Sequence, residues 1–215
     1  MSLAFLTPRG PVAESPIAAL LAERAATFER RGGWRVATSV GSPQEESHAI
    51  AESVGWADLS HLTKHELSSG GPGERGRALA LGGELWCWIS DGRRLLLRES
   101  AGHSGPVDAV DVTTQLGAIA LGGPLAREVI ARFCALDLRP SVAPVGSFLP
   151  GSVARTPGYV LVASADRYLL LFGAAFSEYL WAVVNDAGEP LGGRVVGADA
   201  IGPLLELGAG TVSHA

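Results

Sequence analysis

The stretch ELWCWISDGRRLLLR, residues Glu84–Arg98, decides how the surrounding chain folds. Two runs of strand-forming residues flank Asp91-Gly92, a dipeptide preferred in two-residue type I′ turns between antiparallel strands. The stretch therefore predicts a β-hairpin with strands Glu84–Ser90 and Arg93–Arg98, and with it an antiparallel sheet.

The first strand of this hairpin carries two indole rings on one face. Side chains alternate along a strand, so Trp86 and Trp88 share a face while Cys87 points to the other. Packing in the core is the interpretation that we favour, and a stacking wall for a flat aromatic ligand is the alternative. Glu84 lies beside the indoles, where a carboxyl group with a raised pKa could act as an acid or base. Asp91 is explained more simply by its turn.

Downstream of the hairpin, strand and helix signals follow the order βαββαβ. The predicted strands are 116–121, 158–163, 168–172 and 194–196, and the predicted helices are 125–135 and 175–187. This order is typical of a ferredoxin-like arrangement, in which both helices cover one face of an antiparallel sheet. The other face is left for a second lobe.

The half of the chain before the hairpin supplies the elements for that lobe. A helix is predicted from Pro16, capped by Ser15, as far as Gly32-Gly33, because apolar residues recur at helical spacing. Ser42-Pro43-Gln44-Glu45 is a capping box, which predicts a second helix that Gly55 ends. The extended segments predicted between and after these helices are 34–40 and 56–68.

We therefore expect one α+β domain made of two fused lobes, with antiparallel sheets and covering helices. The domain spans 15–207, and its lobes are roughly 15–105 and 106–207. An N-terminal arm, 1–14, and a C-terminal tail, 208–215, flank it. The arm holds two prolines and no periodicity, so its order would depend on a partner.

The composition excludes several classes of partner. The 215 residues include 17 basic and 22 acidic side chains, and the net charge of −5 makes nucleic acid and anionic membranes unexpected partners. Cys87 and Cys134 lie in apolar runs, and no leader or membrane-spanning pattern occurs, so we expect a cytoplasmic protein. Hydrophobic residues make up 47% of the chain and charged residues 18%, and part of this apolar surplus is expected at a subunit interface.

Two motif-like strings have plainer explanations. Gly71–Gly76 spells the GxGxxG of dinucleotide-binding loops, but a proline interrupts it and Leu81-Gly82-Gly83 breaks any following helix, so a surface loop is expected. His61 and His65 have the spacing of two zinc ligands on a helix. Their segment is predicted to be extended, which puts them about 13 Å apart at roughly 3.3 Å per residue, so no metal is expected.

The segment Trp56–Leu62, WADLSHL, resembles the Gly-Leu-x-Asp-x-Ser-His-Met strand of the glycine-cleavage T-protein (aminomethyltransferase) family. Upstream, Glu45-Glu46 and His48–Val54 resemble the family's Glu-His-x-Ala-Val-Arg helix. Downstream, Ala118–Glu128 resembles its Leu-x-Gly-Pro-x-Ala-Arg-Glu element. The shared order of these elements extends the resemblance over roughly 15–207.

The second half is more similar to a relative in this family, the gamma subunit of heterotetrameric sarcosine oxidase. Cys134–Pro140 resembles that subunit's Cys-Pro-Leu-Asp-Leu element, and Phe176–Trp181 resembles its Ser-Phe-Ala-x-Tyr-Leu-Trp helix. Within the hairpin, Leu85–Asp91 resembles its Leu-Trp-Leu-Gly-Pro-Asp-Glu-Trp segment.

The resemblance implies a fold in which tetrahydrofolate lies between two α+β lobes and a carboxylate steers proton chemistry. On the strand where the family carries this carboxylate, Glu84 is the available substitute, and it is the candidate catalytic residue. The family's folate-clasping element falls on 164–169, which keeps its tyrosine and loses both glutamates. The candidate cofactor-binding residues are Leu62, Trp86, Trp88, Arg98 and Tyr168.

Three functions follow from the resemblance. The one that we favour is a noncatalytic small subunit, similar to the sarcosine oxidase gamma subunit, that supports tetrahydrofolate-linked amine oxidation beside larger flavin-containing subunits or through self-association. In this hypothesis the chain itself binds no flavin and no metal. The alternative is a stand-alone tetrahydrofolate-binding protein or folate-dependent aminomethyltransferase with a degenerate site, in which Tyr168 orients the ligand and Glu84 is the base. A scaffold that kept only the fold is the third.

Overall fold

The computed structural model describes residues 12–99, 106, 108–204 and 206–207. The helices are α1 (Ala18–Glu23), α2 (Pro43–Glu52), α3 (Ala126–Ala131), α4 (Ser177–Gly188) and α5 (Ala198–Ile201). The strands are β1 (Ala13–Glu14), β2 (Ala26–Arg31), β3 (Trp34–Val40), β4 (Gly55–Asp58), β5 (Thr63–Leu67), β6 (Ala78–Leu81), β7 (Glu84–Ser90), β8 (Arg93–Arg98), β9 (Ala109–Asp111), β10 (Leu116–Gly122), β11 (Phe148–Val153), β12 (Thr156–Val162), β13 (Arg167–Gly173) and β14 (Arg194–Val195).

Within the described residues the strands form three sheets. A six-stranded sheet has the order β11-β12-β13-β10-β4-β14, a five-stranded sheet has the order β6-β7-β8-β5-β9, and a small sheet has the order β1-β3-β2. All pairs are antiparallel except β1 with β3 and β14 with β4. The α+β class with antiparallel sheets is therefore confirmed.

The six-stranded sheet is apolar on both faces, so it lies at the centre of the molecule. On β13, Leu170 and Phe172 join a core that includes Leu180 and Trp181 of α4. The alternate residues of the same strand, represented by Leu169, belong to a second core together with leucines of the five-stranded sheet. Burial of both faces requires a cover on each side, which the helices and the five-stranded sheet provide.

The hairpin of β7 and β8 is confirmed, and its turn differs from the predicted type. A type I′ turn needs a positive φ at both central residues. Gly92 has a φ of 81°, whereas Asp91 has no positive φ. A bulge between Trp88 and Ser90 shifts the register just before the turn. The bulge adds the local twist that a type I′ turn would otherwise supply.

The long helix predicted from Pro16 is wrong. The helix α1 ends at Glu23, and the chain then turns through Ala25, whose φ is 56°, into the strand β2. Ser15 Oγ accepts a hydrogen bond from the Ile17 N–H at 3.4 Å just before the helix, although Ile17 occupies the N-cap position. Gly32-Gly33 closes a hairpin, so pairing of β2 with β3 replaces the helical turns. Tertiary pairing here overrides a helix-like apolar spacing.

Of the predicted capping box at the start of α2, the N-cap bond is confirmed, while the Glu45 carboxylate pairs with Arg194 at 3.1 Å. Ser42 Oγ accepts a hydrogen bond from the Glu45 N–H at 3.3 Å, and Pro43 stands at the first helical position. The predicted end is wrong, because Gly55 belongs to β4 and Ser53 is the C-cap.

The second half contains the predicted βαββαβ elements and two strands that were not predicted, β9 and β11. The strand β9 pairs with β5. The strand β11 contains Pro150 and Gly151, and it lies at the edge of the six-stranded sheet, where a missing N–H donor is tolerated. The last strand, β14, pairs with β4 rather than with β10, so the sheet takes a strand from the first half of the chain. The proposed lobe boundary near 105 stays a prediction.

The ends of the chain are described only in part. Ala13 and Glu14, from the predicted arm, pair with β3, while 1–11 and the predicted tail 208–215 lie outside the described residues. In the described part of the chain, no helix is both long enough and apolar enough to cross a membrane.

Candidate functional site: a cavity where the three sheets meet

A cavity of about 410 Å³ lies where the three sheets approach one another. Its walls come from the end of β2, the β4–β5 connection, the end of β8, and α5 with the segment that follows it. The lining residues are Arg31, Leu59, His61, Leu62, Glu99, Ala198, Asp199, Gly202, Pro203 and Leu204. Its volume lies within the range of small-molecule sites, about 300–1,000 Å³.

An arginine held by two carboxylates forms the polar wall. Arg31 Nη2 donates hydrogen bonds to Asp199 Oδ2 and Glu29 Oε2, each at 2.8 Å, and Nη1 donates to Asp199 Oδ1. These bonds raise the pKa of Arg31 and lower the pKa of Asp199 below its usual range. Asp199 therefore stays ionised at neutral pH, and both of its oxygens are already engaged.

His61 presents a neutral imidazole to the cavity. Burial lowers its pKa to about 4, and the positive charges of Lys64 and Arg31 act in the same direction, while Asp199 opposes them. A histidine with this pKa is not an imidazolium near neutral pH, and its neutral ring offers one N–H donor and one nitrogen acceptor.

A buried lysine fixes the connection that carries His61 and Leu62. Lys64 is 0% exposed, and its Nζ donates hydrogen bonds to Ser60 O and Leu62 O, each at 2.8 Å. Burial lowers its pKa to about 7, although Asp58 and Asp111 oppose the shift. Because the Nζ donors bind backbone carbonyls, the lysine holds the connection rather than facing the cavity.

Asp58 supports the same connection from its other side. Its Oδ1 accepts hydrogen bonds from the Ser60 N–H at 3.0 Å and from Ser60 Oγ at 2.6 Å. Ser60 Oγ accepts in turn from the Ala118 N–H at 3.1 Å, which ties the connection to β10. Burial raises the pKa of Asp58. The Asp-x-Ser-His part of the sequence therefore builds a fixed cavity wall.

Among the predicted site residues, Leu62 alone lines this cavity. Glu84 and Arg98 form an ion pair with each other at one end of the hairpin. Arg98 directly precedes the cavity residue Glu99, so the pair lies beside the cavity and not on its wall.

Trp86 and Trp88 lie on the face of the five-stranded sheet that points away from the inter-sheet core. Their strand neighbours Leu85 and Cys87 occupy that core instead. A Cβ on Gly71 would lie 2.8 Å from Trp86 Cζ3, so the 71–76 loop packs directly on this indole.

The second indole of this face is covered by a cation. The guanidinium carbon of Arg94 is 3.9 Å from the centre of the Trp88 ring. Arg94 Nε also donates to Pro72 O at 3.2 Å, which binds the loop 71–76 to the sheet. The GxGxxG-like string is therefore an irregular loop over the tryptophans, followed by the strand β6, and the surface-loop prediction is confirmed.

Tyr168 belongs to neither group and lies in the core between the six-stranded sheet and the helices. It is 2% exposed, its Oη donates to Ala165 O at 3.3 Å, and burial raises its pKa. The candidate residues thus occupy three separate places. Leu62 lies in the cavity, and Tyr168 lies in the helix-side core. Glu84, Trp86, Trp88 and Arg98 lie on the outer face of the five-stranded sheet, because their alternating neighbours face the inter-sheet core.

Histidine ligands for a metal do not converge in the described structure. His65 lies on β5, whereas His61 lines the cavity from a turn between β4 and β5, so the extended segment predicted over 56–68 is interrupted there. Within the described ranges, no group of three or more histidine, cysteine or acidic side chains could hold a metal ion. Cys87 is buried in the inter-sheet core, and burial raises its pKa above the usual range.

The sequence analysis missed the charged residues of the cavity, namely Arg31, Glu99 and Asp199. Arg31 and Asp199 are 168 positions apart in the chain, and neither belongs to a recognisable motif. Only the Asp-x-Ser-His segment gave a signal for this place, through His61 and Leu62.

Two solved structures are similar to this chain. A chain of the heterotetrameric sarcosine oxidase from Corynebacterium sp. U-96, in complex with pyrrole 2-carboxylate, matches with a TM-score of 0.59 and 19% sequence identity, over 82% of this chain and 95% of that chain. The glycine cleavage system aminomethyltransferase T from Bartonella henselae matches with a TM-score of 0.67 and 15% identity, over 90% of this chain and 62% of that chain.

The sequence comparisons add no closer relative, because no family model and no curated protein matches this chain. At these identities the structural likeness concerns the fold alone. It confirms the resemblance inferred from the Asp-x-Ser-His and Gly-Pro-x-Ala-Arg-Glu elements, and the chain spans 62% of the aminomethyltransferase that it matches. The chain therefore has an α+β fold similar to that of aminomethyltransferase T and of a chain of heterotetrameric sarcosine oxidase.

Proposed function

We propose that this chain is a noncatalytic small subunit of an amine oxidase that resembles heterotetrameric sarcosine oxidase. Its larger subunits would carry flavin, and the complex would support tetrahydrofolate-linked one-carbon chemistry. The observation that carries the proposal is the extent of the structural match, which covers 95% of a chain from a heterotetrameric oxidase. A chain of that size in such an assembly is a subunit and not a complete enzyme.

The chemistry of the cavity supports a noncatalytic role. General acid–base catalysis works best with a pKa near the operating pH. His61 has a pKa of about 4, and the pKa of Asp199 is lowered by Arg31, so both shifts lead away from neutrality. Glu84, the predicted catalytic residue, is engaged by Arg98 outside the cavity.

Exposed apolar side chains support the need for a partner. Val110 of β9 is 60% exposed and Leu81 of β6 is 54% exposed, at opposite edges of the five-stranded sheet. Phe176 and Tyr179 at the start of α4 are 43% and 48% exposed. Aromatic residues are enriched at protein interfaces, so the α4 pair agrees with a subunit role.

The direct test is to purify the chain from its native host through an affinity tag and to analyse what accompanies it. We expect a stoichiometric flavoprotein, identified by its flavin spectrum and by mass spectrometry, and hydrogen peroxide production on addition of secondary amines. A chain that elutes alone and free of flavin contradicts the proposal.

A stand-alone tetrahydrofolate-binding protein is the second candidate, and the cavity volume of about 410 Å³ beside Leu62 favours it. A pterin needs carboxylate oxygens to accept from its N–H and amino groups. Glu99 and Asp199 bring carboxylates to the wall, but the oxygens of Asp199 already accept from Arg31. The residues present therefore fit the pterin only through Glu99 and the apolar wall.

Calorimetry with tetrahydrofolate and 5-formyltetrahydrofolate distinguishes this candidate. Binding that is lost in a Glu99→Ala variant and kept in Glu84→Ala would favour the folate-binding protein. If no heat of binding is measured at millimolar ligand, the chain is not a stand-alone tetrahydrofolate-binding protein.

A further inference from the structure

A groove on the helix side of the molecule is formed by the end of α3, the β11–β12 turn and the start of α4. It has a volume of about 470 Å³ and lies far from the cavity described above. Its lining residues are Ala131, Arg132, Phe133, Cys134, Ala135, Ala154, Arg155, Tyr179 and Val183. Two arginines and two aromatic rings stand out in this set, because Tyr and Arg are among the residues that dominate binding energy at interfaces.

The turn that carries Arg155 adopts an unfavourable conformation. Val153 pairs with Thr156, so Ala154 and Arg155 are the central residues of a two-residue hairpin turn, with φ of 47° and 64°. Glycine and asparagine are preferred at both positions of such a turn, because other residues have little access to this region. The sequence thus keeps a strained arginine at position 155, where glycine would fit better, and this places a guanidinium at the mouth of the groove.

The guanidinium of Arg155 has no partner in the part of the chain that the structure describes. Arg155 is exposed and makes no hydrogen bond or ion pair with the described residues. Arg132 on the opposite wall is fixed, because its Nη1 donates to Ala187 O at 3.1 Å and its Nη2 lies 3.7 Å from Glu128 Oε1. Since this ion pair is long and exposed, the groove remains cationic on a chain whose net charge is −5.

The aromatic wall is preorganised. Tyr179 Oη donates a hydrogen bond to Ala154 O at 3.2 Å, which holds the half-exposed ring against the turn. Phe176 lies one helical turn earlier, so its exposed ring continues the same surface. Rigid aromatic area beside an unpaired arginine lowers the entropy lost when a partner docks.

We propose that this groove is the docking site for a segment of a partner subunit that carries a carboxylate side chain next to an aromatic or aliphatic one. The carboxylate would accept the fork of N–H donors from Arg155, and the apolar side chain would pack between Tyr179 and Phe133. This inference rests on the proposed subunit role and names the surface through which that role is performed.

The test uses the tagged full-length chain purified from its native host, with flavin per chain as the readout. Arg155→Glu and Tyr179→Ala should each reduce the co-purified flavin at least about tenfold, as expected for residues at the centre of an interface. The matched control is Arg75→Glu, which makes the same charge change at an exposed arginine on the 71–76 loop. It should retain the wild-type flavin content.

A photo-crosslinking residue at Tyr179 gives a second, independent readout. The crosslinked peptide should come from the flavoprotein and contain an aspartate or glutamate. If wild-type chain brings down the flavoprotein while both groove variants do so equally well, the groove proposal is wrong and the subunit role stands. If the wild-type chain emerges alone, both proposals fail. If Tyr179 crosslinks to a second copy of this chain, the groove joins like subunits and the partner assignment is wrong.

Discussion

A single buried carboxylate connects distant parts of the chain beside the cavity. Glu46 is 3% exposed, and its Oε1 accepts hydrogen bonds from the Val40 N–H and from the Gly197 N–H, the latter at 2.9 Å. Gly197 directly precedes α5, which carries Asp199. The position of the cavity wall therefore depends on a residue that the sequence suggested only as part of a helix.

Substitution of Glu46 tests this connection. Glu46→Ala leaves two buried N–H groups without an acceptor, so we expect the free energy of unfolding to fall by about 2–4 kcal/mol. Glu46→Gln keeps an acceptor oxygen of the same reach and should lose less than half of that amount. Urea unfolding of the three proteins measures the difference. Equal losses for Ala and Gln would show that the two hydrogen bonds are not what the side chain contributes.

The buried imidazole of His61 predicts that the free energy of unfolding depends on pH. Its pKa falls from 6.5 in the unfolded chain to about 4 in the folded protein, so the unfolded chain binds more protons between these values. The contribution of His61 to stability is therefore complete above pH 6.5 and is lost as the pH falls toward 4, with a slope of at most about 1.4 kcal/mol per pH unit.

The measurement is the unfolding free energy of wild type minus that of His61→Gln, taken from pH 7 to pH 4. We expect this difference to decline with acidification, and the His61 imidazole resonances to titrate with a midpoint near 4. A midpoint near 6.5 in the folded protein would contradict the buried, neutral imidazole.

At the scale of elements, the sequence correctly predicted those turns and helix ends whose conformation depends on neighbouring residues. The hairpin at Asp91-Gly92 and the Ser42 cap depend on neighbours in sequence, and both are found. The long first helix failed because residues 26–31 pair with β3 across Gly32-Gly33, and that pairing outweighs helical spacing. The strand β11 was missed because Pro150 and Gly151 argue against a strand, except at an edge.

The β11–β12 turn allows a prediction at this scale. Replacing Arg155 with glycine should stabilise the protein by about 1 kcal/mol, because glycine accepts a positive φ without steric cost, and Ala154 is kept because it is buried in the helix-side core. For a chain of this length the melting temperature should rise by about 2–4 °C. The same variant removes Arg155, so it should lose partner binding while gaining stability. A melting temperature that falls would show that the turn is not strained.

At the scale of the whole molecule, β4 crosses from the first half of the chain into the central sheet. Trp56 of β4 is 0% exposed, and its Nε1 donates to Asn185 Oδ1 of α4 at 2.7 Å. A Cβ on Gly188 would lie 2.5 Å from Trp56 Cζ3, so only glycine permits α4 to end against this indole. Such a contact depends on residues more than 120 positions apart, which no local pattern reveals.

The contact between Gly188 and Trp56 predicts that a smaller side chain at position 56 offsets the cost of a larger one at position 188. Gly188→Ala should destabilise the protein by about 1–3 kcal/mol through overpacking. Trp56→Phe removes the ring that carries Cζ3, so the double variant should lose less than the sum of the two single variants. Unfolding free energies of the four proteins form the cycle, and strict additivity would mean that the two residues do not compete for this space.

The candidate site shows the same limit of prediction. Leu62 was placed in it through the Asp-x-Ser-His segment, whereas Arg31, Glu99 and Asp199 meet only because three sheets converge. Glu84 and Arg98 were expected to face a ligand but form an ion pair with each other beside the cavity. The resemblance of short motifs was therefore enough to predict the fold. The charged residues of the cavity could not be predicted, because they come together only when distant parts of the chain pack.

The central claim is that this chain works as a small subunit of a flavin-dependent oxidase, and native mass spectrometry of the tagged chain purified from its host tests it most directly. The claim predicts one dominant species in which the 22.2 kDa chain is bound in fixed stoichiometry to larger subunits that release flavin on denaturation. A dominant free monomer, or an assembly of this chain alone, would contradict it.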